Sequence, residues 1–264
     1  MNFLPTDEVA LAEEFISSGR IIRPVDDREA LDRIQSCAAA LAAEHLDMAT
    51  PADAGAFLDA IHDHVDPDTL NPLRLAVIEG LNCESWLRPS YFALARKTIE
   101  LVVGNELCMQ RRVNLSVQMP NDDSSLLGTH ADTWSGDSPF EVVVWLPLVD
   151  CHRTKSMYLC PPDANADVQA RLATFASAED IFGAIETHVE WLSIPYGSVV
   201  VFNHNLMHGN RINLENETRW SMNCRFKAVL SPYADKKLGE FFEPITLKPA
   251  TRVGAAFKLP EGYQ

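Results

Sequence analysis

Arg219-Trp220-Ser221-Met222-Asn223-Cys224-Arg225-Phe226-Lys227 alternates polar and apolar side chains without a break. Successive side chains of a strand point to opposite faces, so Arg219, Ser221, Asn223 and Arg225 share one side. Trp220, Met222, Cys224 and Phe226 share the other. The alternation predicts a strand from Arg219 to Val229. Its apolar face is suited to pack against helices. Its polar face, two arginines included, must look into something wet and anionic, because a buried unpaired charge is very costly. A guanidinium with a hydroxyl two residues on is suited to grip a carboxylate.

Working outward, Val189–Ile194 and Ser198–Phe202 read as strands flanking the turn Pro195-Tyr196-Gly197. Phe140–Leu148 is β-branched and aromatic, which predicts a buried strand. From Cys108 to Met119 the alternation returns, with Val113, Leu115, Val117 and Met119 on one face and Asn114, Ser116 and Gln118 on the other. Helices are predicted between Asp163 and Glu186. The first hundred residues read differently. Apolar residues recur at helical spacing in Val9-Ala12-Phe15-Ile16, Leu31-Ile34-Ala38-Leu41 and Phe57-Leu58-Ile61. A short strand is expected at Arg20–Val25, a looser stretch from Asp66 to Asn82, and one helix from Pro89 to Val103. There is no internal repeat and no low-complexity linker. A helical layer followed by a run of strands predicts an α+β protein whose sheet closes into a sandwich or barrel. We read residues 1–264 as one domain: 1–104 mainly helical support, 105–232 the core that carries the site, 233–264 a C-terminal tail.

Composition narrows the function classes. Of 264 residues 47% are hydrophobic and 22% charged, an ordinary globular balance. The formal charge of −15 repels phosphate backbones and anionic membranes, which argues against nucleic acid and membrane partners. No apolar run approaches the ~18 residues of a membrane span. The start, Met1-Asn2-Phe3-Leu4-Pro5-Thr6-Asp7-Glu8, has neither a basic segment nor an apolar core, so no export signal is expected. The six cysteines (37, 83, 108, 151, 160, 224) form no CxxC pair and read as free thiols of a cytoplasmic protein.

The chemistry is concentrated in two short segments. In Gly128-Thr129-His130-Ala131-Asp132-Thr133-Trp134, extended chain would turn His130 and Asp132 to the same side, where they can grip one metal. Two histidines with one carboxylate suit divalent iron and leave three adjacent coordination positions open. His-x-Asp alone is a weak signal. His64-Val65-Asp66 repeats it, but follows helical sequence and runs into Pro67, and reads as a solvated helix end. The second segment, Phe202-Asn203-His204-Asn205-Leu206-Met207-His208-Gly209-Asn210, offers two histidines at i, i+4 spacing, which on a helix is also half of a zinc site. His152 and His188 have no companion at ligand spacing and read as structural.

Together with Arg219-x-Ser221, eleven residues beyond His208, these blocks resemble the Fe(II)/2-oxoglutarate-dependent oxygenases of the phytanoyl-CoA hydroxylase-like branch. More narrowly, His130-Ala131-Asp132-Thr133-Trp134-Ser135-Gly136-Asp137-Ser138-Pro139-Phe140-Glu141, Lys155-Ser156-Met157-Tyr158 and His208-Gly209-Asn210 are similar to a subgroup from bacterial carbohydrate and aminoglycoside biosynthesis clusters. The resemblance covers roughly Arg111 to Lys227. It implies a double-stranded β-helix (jelly-roll, cupin-like) core with an N-terminal helical layer. It also implies Fe(II) on His130, Asp132 and His208, with His204 behind them or in the core. The far carboxylate of 2-oxoglutarate would rest on Arg219 and Ser221, and O2 would be the third reactant. The Gly-x-Leu…Pro-Gly-Ser-His segment of phytanoyl-CoA hydroxylase itself is absent. Ser156-Met157-Tyr158-Leu159-Cys160-Pro161-Pro162 stands in its place, which argues against a fatty acyl-CoA.

The implied reaction is oxidation of a C–H bond in a small polar molecule, a sugar or sugar-containing metabolite, with release of succinate and CO2. Asn114, Gln118, Trp134, Asn223 and Arg225 are the candidate substrate residues. Trp145 reads as a core aromatic. Two other classes compete: a non-redox metal-dependent isomerase or hydrolase on a cupin-type barrel, and a non-catalytic sugar-binding barrel. The oligomeric state is open from sequence.

Overall fold

The structure is a computed structural model that describes residues 3–262. Met1 and Asn2, part of the N-terminal reading, and Tyr263 and Gln264 lie outside the described residues. Helix α1 (Thr6–Ser18) ends at Gly19 in the left-handed region, φ 72°, and the chain passes straight into strand β1 (Arg20–Pro24). Helices α2 (Arg28–His45) and α3 (Ala54–Asp59) start from Asp27 and Asp53, whose side chains accept a backbone N–H three residues on.

Helix α4 (Pro67–Cys83) occupies the stretch expected to be loose. Pro67 sits at its first position, where no partner for an N–H is needed, and Asp66 and Thr69 close a capping box around it. Pro72 lies inside the helix and forfeits one hydrogen bond. Burial of Leu70, Leu73, Val77 and Leu81 on one face overrides that loss. The single helix expected over Pro89–Val103 is two, α5 (Leu87–Ala93) and α6 (Arg96–Val102). Asp26 makes the break: its N–H donates to the Leu94 carbonyl at 2.8 Å, and its carboxylate accepts from the Lys97 N–H at 3.0 Å.

The strands follow as β2 (Leu107–Gln110), β3 (Asn114–Gln118), β4 (Glu141–Pro147) and β5 (Tyr158–Leu159). Helices α7 (Pro162–Ala170) and α8 (Ala178–Ile185) come next, then β6 (Glu190–Trp191), β7 (Ser198–Phe202), β8 (His208–Gly209), β9 (Arg219–Ala228), β10 (Phe242–Thr246) and α9 (Pro249–Ala256). Among the described residues, seven strands form one antiparallel sheet in the order β1-β7-β4-β9-β2-β10, with β3 also on β9. β6-β5-β8 form a second, smaller antiparallel sheet. The molecule therefore mixes helices with antiparallel sheet.

β9 is the spine. Trp220, Met222, Cys224 and Phe226 are fully buried and join Leu31, Ile34, Leu73, Val77 and Tyr91 of the helices in one apolar core. Tyr91 settles its hydroxyl by donating to the Val144 carbonyl at 3.0 Å. The single strand expected over Cys108–Met119 is β2 and β3, which pair with different halves of β9. Gln110–Val113, four residues, stands opposite Cys224–Arg225, two residues, so Arg111 and Arg112 bulge outward and are exposed. The tail expected over 233–264 also differs, since β10 pairs with β2.

Candidate metal centre

His130 and His208 are brought together by the backbone. The His130 N–H donates to the His208 carbonyl at 3.0 Å, and the His208 N–H returns to the His130 carbonyl at 2.8 Å. This antiparallel pairing sets the imidazole centroids 4.3 Å apart. Glycine at 209 is required by the close approach. A Cβ there would lie 2.6 Å from the Tyr158 hydroxyl and 2.9 Å from the Leu127 carbonyl oxygen. Asp132 follows at the start of a tight 3-10 turn, Asp132–Ser135, which Gly136 ends with φ 83°. The Asp132 N–H donates to the His204 carbonyl at 3.1 Å, tying this turn to the segment that carries His208.

His130 Nδ1 lies 2.8 Å from the Gly128 carbonyl oxygen, and His208 Nδ1 lies 2.8 Å from that of Leu206. A carbonyl only accepts, so Nδ1 carries the proton in both rings and each Nε2 presents its lone pair. These Nε2 atoms lie 3.6 and 3.9 Å from Asp132 Oδ1. The three ligand atoms all fall within 4.8 Å of one another, and among the described residues no other group of three histidines, cysteines or acids is so placed. Burial pushes the His208 pKa down to about 4, reinforced by His130, while Asp132 acts in the other direction. Burial would raise the Asp132 pKa, but the neighbouring imidazoles of His130, His204 and His208 and the Arg225 guanidinium outweigh it and hold the carboxyl well below its usual range. A neutral imidazole and an ionised carboxylate are the forms a divalent cation needs. The donor set fits iron.

The cluster opens onto a cavity of about 360 Å³, lined also by Asn114, Ser116, Arg219, Ser221 and Asn223. β9 and β3 place these polar groups, with Ser116 opposite Ser221 and Asn114 opposite Asn223. Arg219 is buried at 4% exposure. Its Nη1 donates to the Ser156 carbonyl at 3.2 Å and its Nη2 to Ser116 Oγ at 2.9 Å, while Nε has no partner among the described residues. Burial lowers its pKa to about 10, with Cys151 opposing, so it stays charged at neutral pH. Among the described residues no carboxylate pairs with it.

The other candidates divide. Asn114 and Asn223 line the cavity and hydrogen-bond each other at 3.0 Å. Arg225 also lines it, but is held by acids of the protein: Nη2 lies 2.8 Å from Asp132 Oδ2 and Nε 3.2 Å from Asp137 Oδ1. Gln118 does not line the cavity; it is buried and donates to the Arg211 carbonyl at 2.6 Å. Trp134 is off the cavity and 37% exposed, because the chain leaves the extended conformation at Asp132 and the two-residue periodicity stops there. His204 stands behind Asp132, its Nδ1 3.5 Å from Oδ2 and its Nε2 donating to the Ser138 carbonyl. Asp66 caps α4 and His64 stacks on Phe57. Trp145, Met157 and Phe202 form the apolar wall, and Asp137 and Lys236 add a charged pair to the lining. Sequence reasoning missed these two acid–base partners, since neither stands at ligand spacing.

No family model matches the chain, and no curated protein matches it. Among the described residues no helix is long and apolar enough to cross a membrane. Solved structures do match. A non-haem monooxygenase, ThoJ in complex with nickel, is similar at 17% identity over 91% of this chain and 85% of that one, TM-score 0.57. The non-haem, α-ketoglutarate-dependent carbocyclase SnoK from nogalamycin biosynthesis is similar at 15% identity over 92% and 97%, TM-score 0.56. HygX from Streptomyces hygroscopicus, with nickel and 2-oxoglutarate bound, is similar at 14% identity over 89% and 90%, TM-score 0.51. The chain shares its fold with non-haem enzymes of this kind, 2-oxoglutarate-dependent ones among them.

Proposed function

We propose that the protein is an Fe(II)- and 2-oxoglutarate-dependent oxygenase that oxidises a C–H bond of a small polar substrate, a sugar or sugar-containing metabolite. The observation that carries this reading is Arg219, a buried cation without an acidic partner among the described residues, on the same cavity as His130, Asp132 and His208. A buried charge is retained where something compensates it. A dianionic keto acid would do so, its far carboxylate on Arg219 and Ser221. A non-redox metal barrel, or a barrel that only binds sugar, would leave that charge without a use. In the same reading the large and small sheets are the two leaves of a jelly-roll.

The chain's residues divide the work. His130, Asp132 and His208 would hold the iron. Trp145, Met157 and Phe202 exclude water from one side of the cavity. Asn114 and Asn223 spend one donor and one acceptor on each other, and their remaining amide groups are free to orient substrate hydroxyls. Iron and 2-oxoglutarate, when bound, would let O2 act as the oxidant that breaks the C–H bond, one oxygen atom going into succinate as the keto acid loses CO2 and the other into product or water. Hydroxylation, ring closure and desaturation are all outcomes of that chemistry. The test is an anaerobic visible spectrum of the protein with Fe(II) and 2-oxoglutarate. A weak charge-transfer band is expected, together with succinate formation when candidate sugars are supplied in air. Absence of the band refutes the reading.

A further inference from the structure

We propose that Arg225 is a positioning residue that confines Asp132 to a single metal bond and so keeps one coordination position of the ion open. This rests on the reading of His130, Asp132 and His208 as the metal site. The two oxygens of the Asp132 carboxylate meet different surroundings. Oδ1 faces the two Nε2 atoms, at 3.6 and 3.9 Å. Oδ2 forms an ion pair with Arg225, 2.8 Å from its Nη2.

Binding through both oxygens would require the carboxylate to rotate Oδ2 towards the ion and away from its ion pair with Arg225. Arg225 cannot follow the rotation, because it is anchored elsewhere. Its Nε lies 3.2 Å from Asp137 Oδ1, and Gln110 Oε1 accepts from its Nη1 at 3.4 Å and from its backbone N–H at 3.3 Å. Asp137 is buried in turn, and Lys236 Nζ holds its second oxygen at 2.6 Å. Gln110 reaches this point because it stands one residue past the Met109–Phe226 pair, opposite Arg225 in the same β2–β9 register. Arg219 and Arg225, three side chains apart on one face of β9, thus have different tasks. Arg219 has no acid among the described residues and is left for a ligand, whereas Arg225 has two and is spent on holding one.

The consequence for coordination is direct. Three protein ligands and a chelating keto acid would leave a divalent ion with one position for a further ligand. A second bond from Asp132 would take that position. The cation that prevents it acts on the metal only through the carboxylate.

The experiment uses the Co(II)-loaded protein, with azide as the probe of the open position, titrated with and without 2-oxoglutarate and read in the visible spectrum. Wild type is expected to bind azide. Arg225→Met should weaken azide binding by about tenfold or more, the cost of losing a partner that orients a metal ligand, while 2-oxoglutarate still perturbs the spectrum. Arg225→Lys, which keeps one donor for Oδ2, should restore affinity to within about threefold of wild type. Azide binding by the Met variant as tight as wild type, or equal losses in Met and Lys, overturns the proposal. If Arg225→Met does not fold, Asp137→Asn takes its place. It loosens the anchor and should cost part of the azide affinity, and an unchanged affinity refutes the role. A wild-type Co(II) spectrum indifferent to 2-oxoglutarate instead refutes the oxygenase reading, and azide titrated without the keto acid still decides the role of Arg225.

Discussion

Replacing Arg219 by methionine should leave the fold in place and remove the response to 2-oxoglutarate. Without ligand, the substitution removes two hydrogen bonds, to Ser156 and Ser116, that contribute about 1 kcal/mol each. It also releases a buried cation that has no acidic partner among the described residues. These effects oppose each other, so the unliganded melting temperature should move by only a few degrees. With ligand the two proteins separate. At 100 times its Kd, 2-oxoglutarate stabilises wild type by ~2.7 kcal/mol. For a chain of this size that is a rise of roughly 5–10 °C. Loss of a charge-assisted contact of up to ~3 kcal/mol weakens binding on the order of 100-fold. The same concentration then lies near the Kd of the variant, where stabilisation falls to ~0.4 kcal/mol, about 1 °C. The assay is thermal unfolding by circular dichroism with Ni(II) in place of iron, at several 2-oxoglutarate concentrations. A full ligand-induced rise in Arg219→Met would refute the assignment, and the keto acid would have to be held elsewhere.

His130→Ala and Asp132→Ala should abolish metal binding measured by equilibrium dialysis, with His64→Ala unchanged; His208→Ala should eliminate activity, while His204→Ala should weaken it by about 10–100-fold. Reversal of the last pair would move the ligand to His204. Gly209→Ala should lower metal affinity, because its Cβ would push on the Tyr158 hydroxyl and the Leu127 carbonyl. Tyr158→Phe in the same background should restore only part of the loss, since the backbone contact remains. The His208 pKa, about 4 when folded, lies below its ordinary 6.5, so between those values the unfolded chain binds the extra proton and the metal-free protein should lose stability as pH falls from 6.5 towards 4. Denaturant unfolding at pH 7.5, 5.5 and 4.5 checks this, and a flat profile would contradict the burial of His208.

Much of the site is legible because strand periodicity and ligand spacing are local. The alternation of β9 announced a wet face with Arg219 and Ser221 and a dry one with Trp220 and Phe226, and both are where that period puts them. What failed did so for stated physical reasons. The bulge between β2 and β3 adds two residues, an even number, so apolar and polar positions stay in phase across it and the sequence carries no trace of the break. α4 was hidden by Pro67 and Pro72, each a helix-breaking signal unless packing compensates. Trp134 was misplaced because parity was carried past the residue where the chain begins to turn. β4 reads as uninterrupted Val142-Val143-Val144-Trp145-Leu146, since both of its faces are buried, and so Trp145 could not be assigned to the cavity side. Arg225, Asp137 and Lys236 meet only in three dimensions, and no spacing foretells it.

The placement of β1 has a bearing on how such a chain is made. Ile22 pairs with Val200, so the strand that leaves the ribosome first waits for most of the chain before its partner exists. Until then α2, α4 and α5 hold apolar faces whose covering strand, β9, is still to come. Contacts of such long sequence separation slow folding and lengthen the exposure of sticky surface. Once β1 docks, it shields the backbone edge of β7 from other molecules, and that edge is otherwise an open template for strand-to-strand association. The N-terminal segment thereby becomes the edge strand of the sheet and covers β7.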